Sequence, residues 1–119
     1  AFADFDELQS VTVGDSVETI GNKAFANCSK LESVKFGKSL WKIGAYAFME
    51  CEKLKSIVLP NNVKVILTGA FNDCCCLSSV TLSTSMTEIP AEAFAGCMAL
   101  TTVALPQSVT SIGDNAFYD

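Results

Sequence analysis

The sequence predicts a repeat solenoid, a single domain of stacked 23-residue coils. Phenylalanine recurs at Phe2, Phe25, Phe48, Phe71, Phe94 and Phe117, and every interval is 23. An alanine precedes each one, from Ala1 to Ala116. Isoleucine keeps the same interval at Ile20, Ile43, Ile66, Ile89 and Ile112, and leucine keeps it at Leu8, Leu31, Leu54, Leu77 and Leu100. No insertion breaks the register. A unit this short cannot enclose a core alone, so each must bury its apolar side chains against the next. Residues 1–119 form one domain, with units starting near 20, 43, 66, 89 and 112 and a partial unit at 1–19.

The elements of a unit follow from its spacing. Phe25, Cys28 and Leu31 are three apart, which predicts a short helical or 3₁₀ turn. Val34 and Phe36 are two apart, the period of a strand, and so are Ile57 and Leu59. Pro60 and Pro106 then end their strands, because proline cannot donate to a ladder. Gly21, Gly44 and Gly113 follow the isoleucine and predict a tight corner. Stacked units pair their strands in a parallel sheet about 4.8 Å apart. Leu67 and Pro90 stand where other coils have the corner glycine, which predicts altered corners without a broken solenoid.

Composition excludes several classes. Half the residues are apolar and 18% are charged, which is incompatible with disorder. No apolar run reaches the roughly 18–20 residues that span a bilayer, so membrane insertion is not expected. The acidic start, Ala1-Phe2-Ala3-Asp4-Phe5-Asp6, lacks the basic region of a signal peptide, and with no initiator Met the chain reads as an excised or processed piece. The net charge is −5. Nucleic-acid binding is therefore not expected, since it calls for a basic balance. The eight lysines all lie between Lys23 and Lys64, opposed there only by Glu32, Glu50 and Glu52. This basic belt between acidic ends either steers an anionic partner or reflects drift at solvated positions.

The repeat also marks what need not be buried. The strand residues between the inward ones face outward: Ser10 and Thr12, Ser33 and Lys35, Ser56 and Val58, Ser79 and Thr81, Thr102 and Ala104. Trp41 stands in a column with Glu18, Lys64, Thr87 and Thr110, so it is expected at the surface. Tyr46, in a column with Lys23, Gly69, Glu92 and Asn115, is expected there too. The two rings either form an adhesive patch beside Lys38 and Lys42 or fold back onto their own coil. Cys28, Cys51, Cys74 and Cys97 form a column, which sets them in a line. A zinc site needs ligands that converge, so these are expected to be free core thiols and no metal or other cofactor is implied. Cys75 and Cys76 match mostly polar positions, and at least one of them is expected to be exposed. Their readings are a vicinal disulfide, an intermolecular bridge, a reactive thiol or an incidental surface cysteine. With no His and no Arg in the chain, no catalytic set is present.

The segments Leu54-Lys55-Ser56-Ile57-Val58-Leu59-Pro60 and Leu100-Thr101-Thr102-Val103-Ala104-Leu105-Pro106 resemble the strand motif of leucine-rich repeats of the BspA-like type. The segments Ile20-Gly21-Asn22-Lys23-Ala24-Phe25-Ala26-Asn27-Cys28 and Ile112-Gly113-Asp114-Asn115-Ala116-Phe117 resemble that family's second motif. The resemblance covers essentially the whole chain. It implies a right-handed, curved solenoid with its parallel sheet on the concave side. It also implies a cell-surface or secreted protein that binds a host, matrix or cell-surface protein through that concave face, and no catalytic residues. Two other functions remain as alternatives: a structural spacer without a specific ligand, and a thiol- or metal-dependent activity at Cys74, Cys75 and Cys76. Neither end of the chain shows a polar capping unit, so Phe2 and Phe117 are expected to be exposed and to promote end-to-end self-association.

Overall fold

A computed structural model describes residues 7–118; Ala1, Phe2 and Phe5 lie outside the described residues. The chain is a parallel β-solenoid in which paired strands match residues 23 positions apart. The longer strands are β1 (Ser10–Thr12), β3 (Ser33–Lys35), β5 (Ser56–Val58) and β7 (Ser79–Thr81). The shorter return strands are β2 (Thr19–Ile20), β4 (Lys42–Ile43), β6 (Val65–Ile66), β8 (Glu88–Ile89) and β9 (Ser111–Ile112). Val11 pairs with Val34, Ile57 with Val80 and Ile43 with Ile66, so the sequence register is the strand register.

Equivalent side chains stack into columns that form one continuous core. Leu31, Leu40, Ile43, Phe48, Cys51 and Leu54 are fully buried, and so are Val63, Phe71, Cys74 and Leu77 one coil on. The phenylalanine rings from Phe25 to Phe117 lie parallel, with centroids 5.2–5.5 Å apart and planes within 10°. Parallel rings at this centroid distance are offset, which is a favoured aromatic arrangement. Here the coil spacing imposes the stack, and Phe36 adds an edge contact to Phe48 at 5.9 Å.

The expected helical or 3₁₀ turns are replaced by chained β-turns; no helix occurs among the described residues. In the second coil, the amides of Ala47, Met49, Cys51 and Leu54 bond to the carbonyls of Gly44, Tyr46, Phe48 and Cys51. The intervening amides of Tyr46, Phe48 and Glu50 reach instead to Thr68, Ala70 and Asn72 of the next coil. Every fourth residue is left-handed, including Tyr46 (φ 56°) and Glu50 (φ 58°). A helix needs consecutive right-handed residues and sends all its amides along its own axis. Chained turns reproduce the three-residue spacing while freeing alternate amides for the neighbouring coil. Gly69 (φ 64°) and Gly96 (φ 75°) occupy these left-handed columns, where glycine avoids the Cβ clash.

The sheets are discontinuous, and the breaks fall at departures from the repeat. The return strands form one sheet of β2, β4 and β6 and another of β8 and β9. The amides of Gly44, Leu67 and Gly113 each bond to the isoleucine carbonyl one coil earlier. Pro90 has no N–H to make the equivalent bond to Ile66, and the sheet divides there. The altered corners at Leu67 and Pro90 still close their turns, through the amides of Ala70 and Ala93. On the longer face β1 pairs with β3 and β5 with β7, while a single bridge joins Thr81 to Ala104.

Candidate functional site

The strand face divides between β3 and β5. The amides of Val13 and Leu59 bond to the carbonyls of Lys35 and Thr81, but no equivalent bond joins Phe36 to Val58. Phe36 is the bulkiest side chain of its column, whose other members are Val13, Leu59, Leu82 and Leu105. A groove of about 410 Å³ opens at this break, with Ser33, Lys35, Ser56 and Val58 along it and Phe36 and Pro60 contributing apolar surface. Four of the residues singled out from the sequence thus come together. Val58 is 63% exposed, an unusual position for a branched apolar side chain. Ser79, Thr81 and Thr102 also face outward but lie outside this groove. Thr81 borders a shallower depression with Ala104 and Pro106. Thr102 lies at the C-terminal end beside Leu105, Ile112 and Phe117.

Ion pairs link successive coils at the surface: Lys30 to Glu7 at 3.7 Å and Lys55 to Glu32 at 3.9 Å. Such exposed pairs contribute little stability. Lys35 and Lys64 make no ion pair among the described residues, which leaves their charge to an external group.

Trp41 and Tyr46 do not share a site. Tyr46 is half-buried, not exposed as its column predicted. Its ring lies across the missing side chain of Gly69 in the following coil, so that a Cβ there would strike ring atoms. The glycine makes room for the ring, and the ring covers the glycine. Trp41 remains 41% exposed and lines a separate open basin of about 760 Å³ with Ser39, Asn61, Asn62, Lys64 and Ser85. The flanking polar residues escaped the sequence reading because it followed apolar columns. Their signal was present: Ser16, Ser39, Asn62, Ser85 and Ser108 also recur every 23 residues.

The column cysteines Cys28, Cys51, Cys74 and Cys97 are buried and free of disulfides. The thiols of Cys51, Cys74 and Cys97 donate to the carbonyls of Phe25, Phe48 and Phe71 at 3.1–3.2 Å. Burial pushes the Cys97 thiol up to about 12, and the bond shared with Cys51, followed by burial, raises Cys74 well above its ordinary value. Cys75 is half-buried and Cys76 exposed. Desolvation first, then the neighbouring Cys76 and Glu52 charges, raise the Cys75 thiol. That disfavours the thiolate a nucleophile needs. Among the described residues no cluster of three or more His, Cys, Asp or Glu side chains is arranged to hold a metal ion.

Stacked coils, one strand per coil on the longer face and side-chain columns at a fixed period define a leucine-rich-repeat solenoid. The chain belongs to the family described as the BspA type leucine rich repeat region, whose model matches residues 1–119 in six copies. A leucine-rich repeat protein from Bacteroides ovatus is similar over 99% of this chain and 30% of its own, with 35% identity and a TM-score of 0.94. One from Eubacterium ventriosum is similar over 95% of this chain and 31% of its own, with 31% identity and a TM-score of 0.88. The pneumococcal vaccine antigen PcpA is similar over 92% of this chain and 28% of its own, with 33% identity and a TM-score of 0.77. The chain thus spans less than a third of each of these structures. None of the curated proteins matches it.

Proposed function

We propose that this chain is a non-catalytic recognition module of a surface-exposed or secreted leucine-rich-repeat protein, and that the groove between β3 and β5 holds a protein ligand. The groove carries the reading. It combines an exposed aliphatic side chain, Val58, with a cation that has no ion pair among the described residues, Lys35, and the hydroxyls of Ser33 and Ser56. An apolar contact with a polar rim is the composition of a protein interface. The basic belt favours a partner with acidic side chains. Similarity to a pneumococcal vaccine antigen supports a surface location.

The test is binding of the chain to immobilised extracellular-matrix and host-surface proteins. Val58→Asp combined with Lys35→Glu is expected to weaken binding by at least about tenfold, since the pair removes both the apolar and the charged anchor. Binding that survives both substitutions unchanged overturns the groove assignment. No binding to any protein leaves the chain a spacer.

The same reading extends to the C-terminal face, where Phe117 is 38% exposed while its counterpart Phe48 is fully buried. In the isolated chain a second copy is proposed to stack on this face. A strict monomer in sedimentation at high concentration overturns that.

A further inference from the structure

We propose that the basin around Trp41 is a carbohydrate site, separate from the strand-face groove, and that it favours sugars bearing a carboxylate. The basin lies at the corner between the two strand faces. Trp41 is the chain's single tryptophan, placed in a column otherwise made of Glu18, Lys64, Thr87 and Thr110. Its main chain is fixed: its amide bonds to Glu18, and its carbonyl accepts from both Lys64 and Val65. The indole is therefore a platform on a rigid element, with 41% of its surface in solvent.

Two of the surrounding polar groups are held in place, and the others are uncommitted. Asn61 accepts from the Thr84 amide through Oδ1 at 3.0 Å, which holds its side chain and leaves Nδ2 unused. Ser85 donates to the Asn61 carbonyl at 2.6 Å and keeps its lone pairs. The side chains of Ser39, Asn62 and Lys64 make no hydrogen bond or ion pair among the described residues, and no carboxylate lines the basin. Amide donors, hydroxyls and one ammonium thus encircle one aromatic surface.

That arrangement matches a pyranose ring. A sugar has one face of C–H groups, made electropositive by the attached oxygens, and this face meets the negative face of an aromatic ring. Its rim of hydroxyls requires donors and acceptors in the ring plane. A rim made mostly of uncommitted donors and acceptors suits a hydroxyl-rich ligand better than the core of a protein interface, which is largely apolar. Lys64, lacking a carboxylate of its own, selects for a uronate or sialate group.

The chain has no second tryptophan, so its emission reports this site alone. The full chain is titrated with lactose and diacetylchitobiose as neutral probes, and with digalacturonate and sialyllactose as acidic ones. A saturable emission change is expected, with dissociation constants of about 10 μM to 1 mM, given one small contact surface. The acidic probes should bind more tightly and lose that advantage at about 0.5 M salt. Calorimetry then compares variants. Trp41→Ala should weaken binding by at least about tenfold and Trp41→Phe by less. Lys64→Ala should equalise acidic and neutral probes. Trp41 is half in solvent, so the folded state of each variant is checked by its urea midpoint. No saturable change with any probe, or undiminished calorimetric binding by folded Trp41→Ala, overturns the site. Equal affinity for acidic and neutral probes in the unsubstituted chain overturns the role of Lys64.

Discussion

The Cys74 thiol donates to the main-chain carbonyl of Phe48 at 3.1 Å, one coil away. Among the described residues the only amide bonded to that carbonyl, from Cys51, is long at 3.4 Å. The thiol therefore completes a carbonyl that the chained turns leave poorly satisfied, and the column repeats this at Cys51 and Cys97. Cysteine suits the position because it packs as a small apolar group and still carries a weak donor. Cys74→Val keeps the volume but removes the donor. The expected loss is about 1 kcal/mol, the cost of a buried acceptor left without a good partner. Cys74→Ser keeps a donor and should cost less than Cys74→Ala, which also opens a cavity. Urea unfolding ranks the three. A Val variant as stable as the unsubstituted chain would show the thiol bond to be dispensable.

The same column makes stability fall in alkali. The Cys97 thiol ionises near 12 when folded, against an ordinary value of 9.0. Between those values the unfolded chain has already released this proton and the folded chain has not, so rising pH favours unfolding. The contribution is fully present below about pH 9 and is lost progressively toward 12. One such group gives a slope of up to about 1.4 kcal/mol per pH unit. Cys97→Val should flatten the stability profile across that window, measured by urea midpoints at successive pH. An unchanged slope would mean that burial does not raise the Cys97 thiol above its ordinary value in the folded state.

Most of the fold was legible because the columns need only a period. Val11 pairs with Val34 and Phe48 stacks on Phe71 as the interval of 23 requires. The turns were not legible as turns, because Phe48, Cys51 and Leu54 have the same spacing in a helix and in chained turns. Only the left-handed residues tell the two apart, and Tyr46 and Glu50 at those positions carry no glycine signature. Tyr46 was misplaced for a related reason. Column averaging predicts exposure from Lys23 and Glu92, but Tyr46 lies across Gly69, the next member of its own column, and an average hides what adjacent members do to each other. The exposure of Trp41 did follow from its column. Its basin did not, because the basin joins residues of three coils.

The stacked phenylalanines should differ in energy along the column. Phe71 is fully buried between Phe48 and Phe94. Phe71→Ala should cost about 3–5 kcal/mol, through lost burial and the cavity left behind. Among the described rings Phe117 stacks on Phe94 alone, and it is 38% exposed. Phe117→Ala should cost markedly less in urea unfolding. Equal losses would contradict the open C-terminal face.

Gly21 and Gly44 hold the same position in successive coils, yet alanine should affect them differently. Neither has a positive φ, so conformational freedom does not explain them. A Cβ on Gly44 would lie 2.6 Å from the backbone nitrogen of Asn22 and the carbonyl carbon of Gly21, so the two coils would have to separate. Those are main-chain atoms held by the bond from the Gly44 amide to Ile20, and they cannot swing aside. A Cβ on Gly21 would meet nothing within 4 Å. Overpacking against backbone typically costs about 1–3 kcal/mol. Gly44→Ala should show a loss of that size, and Gly21→Ala a change within about 0.5 kcal/mol. Leu67 stands one coil further on with a full side chain, so the coils must already sit differently there. Leu67→Gly should therefore not restore what Gly44→Ala loses, and the double variant should be no more stable than Gly44→Ala alone.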